Sequence, residues 1–338
     1  MKKLLPFLFL LFPTLAFATP STQYVTIGCG NNGDGTSASC AASAGAAGAF
    51  NTLGNWESQN LTLTTALNVV CSGTGTSAIT IAGWTTSAAN TITLTGCSIV
   101  TSDYNAVVSL QNDYVNISGG TWGKSSGTVK VQVFELNSTA AHVTIEKATI
   151  YNASGVTRDS GNACLQIASV ASGVRTIRNN IVYGCKQDGI NYSTANGETA
   201  NVYNNTVYGV TGAGIAMAVD ANTATWNVKN NLASNNTGGD YSISPGGSTT
   251  YNHATNLSSD TTSPDASFRS KTVTFINTGG NNYHLNATDT EAKNLGTDLS
   301  GSFTDDIDGD TRSGSWDIGA DEVAAGGGTD DLVLLEDG

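Results

Sequence analysis

Between residues 176 and 235 the chain repeats itself. Written under one another, Thr176-Ile-Arg-Asn-Asn-Ile-Val-Tyr-Gly, Asn201-Val-Tyr-Asn-Asn-Thr-Val-Tyr-Gly and Asn227-Val-Lys-Asn-Asn-Leu-Ala-Ser-Asn align without gaps. Their Asn pairs, Asn179-Asn180, Asn204-Asn205 and Asn230-Asn231, lie 25 and then 26 residues apart. A period of about 20 to 50 residues marks a solenoid or array, because one such unit cannot bury its apolar face alone and must stack on its neighbours. Thr144-Ile-Glu-Lys-Ala-Thr-Ile-Tyr-Asn fits the same frame 32 residues upstream, and Asn116-Ile-Ser-Gly-Gly-Thr-Trp and Thr93-Leu-Thr-Gly-Cys-Ser-Ile fit it more weakly.

The unit reads as a short strand, a corner and a second short strand. Ile177, Val202 and Val228 share one position, and Val182, Val207 and Ala233 another. Asn tolerates the left-handed backbone region, so the Asn pair suits the corner. Stacked Asn amides would donate to and accept from one another along the axis. Tyr151, Tyr183 and Tyr208 form a further column, read either as a glycan-facing surface or as core packing. No helical stretch links the strands, which argues against a doubly wound α/β fold, and hairpin signals are weak. The expected fold is all-β: a right-handed parallel β-helix with a short N-terminal capping helix. Phe50, Leu53 and Trp56, at i, i+3 and i+6, supply the apolar face of that helix.

Four segments are expected. Residues 1–18 read as a signal peptide: Lys2 and Lys3, an apolar run broken by Pro6 and Pro13, and Ala16-Phe17-Ala18 for cleavage. Residues 19–60 form the N-terminal cap. Residues 61–323 form the parallel β-helix, with a closing segment that loses the repeat after Asn236. Residues 324–338 are a linker around Gly326-Gly327-Gly328 and an acidic tail. The apolar run is short for a membrane span, so the expected location is secreted or at the cell surface. Cys29, Cys40, Cys71, Cys97, Cys164 and Cys185 suit an oxidising compartment. Cys29–Cys40 is the most local pairing, and Cys71–Cys97 and Cys164–Cys185 would join neighbouring coils. No Cys-x-x-Cys pair suggests zinc.

The formal charge is −13, and twelve acids against Arg312 alone lie from Asp298 onward. A nucleic-acid partner needs a basic face, and none is legible. The short Val-, Ile- and Thr-rich runs have apolar surface to bury, which argues against disorder.

The Asn-rich coils resemble secreted right-handed parallel β-helix proteins of the pectate-lyase-like superfamily. The stretch Asp306-Ile-Asp-Gly-Asp-Thr-Arg-Ser-Gly-Ser-Trp-Asp-Ile-Gly-Ala-Asp-Glu322 resembles the closing motif of choice-of-anchor Q domain proteins, with Asp321 where that motif usually has Tyr. Tyr283-His-Leu and 294–298 resemble the approach to it. The likeness covers roughly residues 50 to 323. It implies the architecture and leaves activity open, since these families hold lyases, hydrolases and binding proteins. The Leu-Leu-Glu-Asp-Gly ending is similar to the ends of some phage structural proteins.

Two clusters are candidates for chemistry. A polysaccharide lyase needs a positive group to neutralise a uronate and a base to remove the adjacent proton. Lys186 and Asp188, with Arg158 and Asp159 in a wider neighbouring coil, are the catalytic candidates; Lys147, Arg175 and Arg178 lie within a coil or two. Solvated salt bridges are the plainer reading. Asp306, Asp308, Asp310 and Asp317 partly match a calcium loop, with Thr311 where that loop needs Gly. The plainer reading there is a tight turn in which Asp308 or Asp317 pairs with Arg312. His142, His253 and His284 fall in no hydrolase motif and read as surface or structural. The functional expectation is a secreted protein that binds extracellular polysaccharide, with cleavage left open; the alternative is a non-catalytic structural or adhesive module, phage-derived in origin.

Overall fold

The computed structural model describes residues 21–323, apart from 171, 196 and 220–222. The expected signal peptide at 1–18 and the expected linker and acidic tail at 324–338 lie outside the described residues. Among the described residues, three large sheets of parallel strands run side by side along one axis, with nine, eight and seven strands. The chain visits them in rotation. Glu198–Tyr203 lies in the first sheet, Thr206–Tyr208 in the second and Ile215–Val219 in the third, before Thr225–Lys229 returns to the first. The protein is therefore a parallel β-solenoid.

Alternation within these short strands builds the core. In Glu198–Tyr203 every second residue is buried, and the inward positions meet like residues on the next coil. Ile117, Ile145, Ile177, Val202 and Val228 are consecutive register partners on the first sheet, all with no exposure. Ile150, Val182, Val207 and Ala233 do the same on the second.

The corner between the first two sheets carries the Asn pair. Asn179, Asn204 and Asn230 have φ of 52°, 47° and 57°, the left-handed conformation that a short polar side chain tolerates. The second Asn of each pair points inward. Asn180 Nδ2 donates to Asn205 Oδ1, Asn205 Nδ2 to Asn231 Oδ1, and Asn231 Nδ2 to Asn256 Oδ1, each at 3.0 Å. The solenoid thus continues one coil past the point where the sequence repeat fades. Thr255-Asn256 replaces the Asn pair there, with Thr255 at φ 53°. Asn256 Nδ2 then donates to Asp265 Oδ2 at 2.9 Å, and this carboxylate terminates the column.

The N-terminal end is covered, as an open sheet edge requires. At the N-terminal end Thr22–Thr26 pairs with Leu67–Ser72, and the chain between them forms the cap. Leu53–Glu57 is a single helical turn capped by the Thr52 hydroxyl, with Leu53 and Trp56 buried. The Trp56 ring stacks on Trp84 at 5.0 Å, and its indole N–H donates to Gln23 Oε1 at 2.9 Å. Phe50 precedes the helix, bridged to Val25.

The three disulfides are Cys29–Cys40, Cys71–Cys97 and Cys164–Cys185. The longer spacing between 144 and 176 accommodates Val156–Ser160, which pairs with Gly127–Lys130 of the preceding coil in a projecting two-stranded ribbon.

The closing segment lies along the flank. Phe275–Asn277 and Asn282–Leu285 form an antiparallel pair. Phe275, Tyr283, Leu285, Ile318 and Ala320 pack on Ile181, Leu232 and Leu257 of the second sheet. Gly319, at φ 109°, sits so close to the coils that a Cβ there would meet Thr206 Oγ1 at 2.8 Å. The Tyr column is partly covered by this segment: Tyr151 stacks on Tyr183 at 5.2 Å, while Tyr283 packs against both Tyr183 and Tyr208. Its Tyr183 and Tyr208 members therefore belong to lateral packing.

Candidate functional site

The outward face of the first sheet presents an unbroken polar column. Asn68, Thr93, Asn116, Thr144, Thr176, Asn201, Asn227 and Asn252 are successive register partners. Some neighbours are hydrogen-bonded: Asn116 Nδ2 donates to Thr93 Oγ1 at 3.3 Å, Asn201 Nδ2 to Thr176 Oγ1 at 3.2 Å, and Asn227 Nδ2 to Asn201 Oδ1 at 2.9 Å. Two residues further along each strand, Glu146, Arg178 and Tyr203 form a second column.

Between Thr93 and Tyr203 these columns floor a groove of about 550 Å³, with Ser302 and Phe303 of the closing segment on its side. Phe303 is held by Trp316, ring centroids 5.1 Å apart, and stacks on Tyr203 at 6.2 Å. The Arg178 guanidinium lies over the Phe303 ring, 4.5 Å from its centroid. Arg178 is committed to two carboxylates, Glu146 and Asp305, and Lys147 also pairs with Asp305. Burial opposes the charge on Asp305, but the Lys147 hydrogen bond and the Arg178 guanidinium hold its carboxyl below the usual value. The Tyr203 hydroxyl donates to Asn201 Oδ1 at 3.1 Å, and burial pushes its pKa up. The groove therefore offers hydroxyls, amides and aromatic faces, the ion-paired Arg178 guanidinium and Glu146 carboxylate, and no phenol set to act as a base at neutral pH.

The catalytic candidates named from sequence lie elsewhere. Arg158 is exposed on the projecting ribbon, and its Nε donates to Gly161 O at 2.7 Å. Asp188 opens a strand of the third sheet. Its Oδ1 accepts from Ala213 N at 2.8 Å and its Oδ2 from Asn191 Nδ2 at 2.7 Å, so it serves as a turn cap. Lys186 is half-buried, with its backbone N–H on Asn152 Oδ1 at 3.1 Å. Among the described residues no hydrogen bond or ion pair joins these three. Arg175 is buried inside the coils, 3.5 Å from Glu198 Oε1, which also accepts from the Tyr192 hydroxyl at 2.8 Å. Burial raises the Glu198 pKa, and Arg175 works against that shift.

The acidic residues named from sequence also separate. Asp306 Oδ1 caps Asp308 N and Asp310 N at 3.0 and 2.8 Å, and its Oδ2 accepts from Glu322 N at 3.0 Å. Asp317 accepts from Asn294 N at 2.6 Å and Val323 N at 2.7 Å. Both are buried turn-formers whose oxygens are occupied by backbone amides. Arg312 is the centre of this turn, but its carboxylate partner is Glu322, at 3.1 Å, where Asp308 or Asp317 was expected. The chain folds so that Glu322 also caps Asp317 N at 2.9 Å, while Asp308 turns outward to His284.

Sequence reasoning missed the grouping of His284, Asp308 and Asp321, because 282–285 and 306–322 meet only through the tertiary fold. The Asp308 hydrogen bond raises the His284 pKa, and burial holds the Asp321 carboxyl up at about 7. The other two histidines each face a carboxylate as well, His142 facing Asp113 and His253 facing Asp265. Compared with protein-family models, with curated proteins and with solved structures, the chain has no match.

Proposed function

We propose that this protein binds an extended extracellular polysaccharide along the first sheet, without cleaving it. The groove floored by the Thr and Asn column carries the reading. A stack of coils repeats its side chains at the strand spacing of about 4.8 Å. A linear glycan is a ligand with a matching kind of repeat, and its hydroxyls pair with amides and alcohols while its ring faces lie on Tyr203 and Phe303. Glu146, the groove carboxylate beside Arg178, is held in an ion pair with that guanidinium, which favours retention over elimination. The β-solenoid with its 306–322 closing motif is consistent with a pectate-lyase-like scaffold of the choice-of-anchor Q type. Three disulfides suit export, and among the described residues no helix is long and apolar enough to cross a membrane.

The test is affinity electrophoresis of the full chain through gels holding neutral or acidic plant and bacterial polysaccharides. One glycan should retard the protein, and Tyr203→Ala with Asn116→Ala should weaken retention about tenfold, the loss of roughly 1.4 kcal/mol. Release of unsaturated, ultraviolet-absorbing products would overturn the non-catalytic part. Retention by none of the glycans, or retention untouched by these substitutions, would overturn the groove and leave a structural or adhesive module.

A further inference from the structure

We propose that His284, Asp308 and Asp321 bind one divalent ion of the zinc class, which staples the closing segment together. One donor atom from each of the three lies within 4.8 Å of the others. His284 Nε2 is 3.2 Å from Asp308 Oδ2. Two ligands of a tetrahedral ion, each about 2.0–2.1 Å from the metal, stand about 3.3 Å apart, so this pair already has the separation of coordinating neighbours.

The orientation of the imidazole is a second observation. His284 Nδ1 is 2.6 Å from Asn282 Oδ1, an atom that only accepts, so Nδ1 carries the proton. Nε2 is left to face the two carboxylates. A metal-bound imidazole is held in this way, with its far nitrogen donating to an oxygen that fixes the tautomer. The carboxylates are braced too. Asp321 Oδ2 accepts from Leu285 N at 2.7 Å, and the Asp308 backbone N–H donates to Asp306 Oδ1 at 3.0 Å. Asp308 is exposed, so water can complete the shell.

The ligand chemistry selects the ion. Calcium takes six to eight oxygens at roughly 2.3–2.6 Å, whereas one imidazole with two carboxylates suits zinc, cobalt or manganese. The three ligands come from the Asn282–Leu285 strand, the turn at 308 and the end of the motif at 321. An ion here joins segments that the backbone connects only through 23 intervening residues between His284 and Asp308. The same side chains without an ion would form a His–Asp pair with no response to metal.

Chelator-treated full-length protein titrated with Zn²⁺ discriminates the two. The expected result is one Zn²⁺ per chain by calorimetry, a rise of several degrees in Tm with Zn²⁺, and none with Ca²⁺. His284→Gln and Asp308→Asn should each weaken Zn²⁺ binding more than tenfold and remove the Tm rise, and exposed Asp308→Asn should leave the circular dichroism unchanged. Asp310→Asn, outside the group, should bind as the parent does. No Zn²⁺ response in the parent protein, or a response that survives in both His284→Gln and Asp308→Asn, would overturn the site.

Discussion

A buried amide must find both donors and acceptors, and the inner Asn column does so by repetition. Asn205 Nδ2 donates to Asn231 Oδ1 and to Ile177 O at 2.8 Å, while its Oδ1 accepts from Asn180 N at 3.2 Å and from Asn180 Nδ2 at 3.0 Å. Asn205→Ala would leave Ile177 C=O and Asn180 N–H unpaired in a site with no exposure. Each such group costs about 1–3 kcal/mol, so the variant should lose roughly 2–6 kcal/mol. Asn227→Ala, on the outward column where water replaces the lost bonds, should stay within about 0.5 kcal/mol of the parent. Urea denaturation midpoints compare the two, and equal losses would mean that the inner column is not a stability element. The Asn-pair spacing made this column legible in the sequence, since identical residues at a fixed interval can only meet in a stack. The register of the outward column was legible in the same frame, which opens on Thr93, Asn116, Thr144, Thr176, Asn201 and Asn227, but its role as a surface was not, because these look like any polar residues of an alternating strand. The coil at 250–258 was missed for a related reason: Thr255 fills the left-handed corner in place of Asn, and only the interval of 25 from Asn231 to Asn256 betrays it.

The closing segment acts as one element because Arg312 gathers it. Its guanidinium donates to Glu322 Oε2 at 3.1 Å, to Ala320 O at 2.7 Å, to Gly319 O at 3.0 Å and to Asn179 Oδ1 at 3.2 Å. The last of these reaches the solenoid corner, where Asn204 Nδ2 also donates to Asp317 O and Gly319 O at 3.1 Å. The left-handed Asn of each corner is therefore free to turn its amide outward and hold the flank. The 306–322 motif was recognisable as a turn organised by Arg312, but its partner was not, because spacing points to the nearby Asp308 or Asp317, whereas Glu322, ten residues on, meets Arg312 only through the fold. Removing a buried charge partner costs about 3–5 kcal/mol. Arg312→Ala should therefore release residues 282–323 to protease while the coils keep their β signal in circular dichroism. Loss of the whole β signal in step with cleavage would show that the flank and the solenoid unfold as one unit.

At the scale of the molecule, the two halves are secured by different means. A solenoid unit touches only its neighbours, so stability is local and can differ from end to end. The disulfides Cys29–Cys40 and Cys71–Cys97 lie in the cap and the first coils, and Cys164–Cys185 lies mid-stack. From residue 198 onward the coils carry no cysteine and rely on the Asn column and the docked flank. Closing a loop of 26 residues, as Cys71–Cys97 does, stabilises by about 3.5 kcal/mol in the loop-entropy account. Reduction should therefore act unevenly. Under mild denaturant, a phosphine reductant should speed amide exchange in the strands from Thr22–Thr26 to Ser98–Thr101 and leave Glu198–Tyr203 and Thr225–Lys229 near their oxidised rates. Hydrogen exchange read by mass spectrometry gives both regions in one experiment. Equal acceleration along the whole stack would mean that the coils communicate over more than their nearest neighbours, and that the cap and the flank stabilise a single cooperative body.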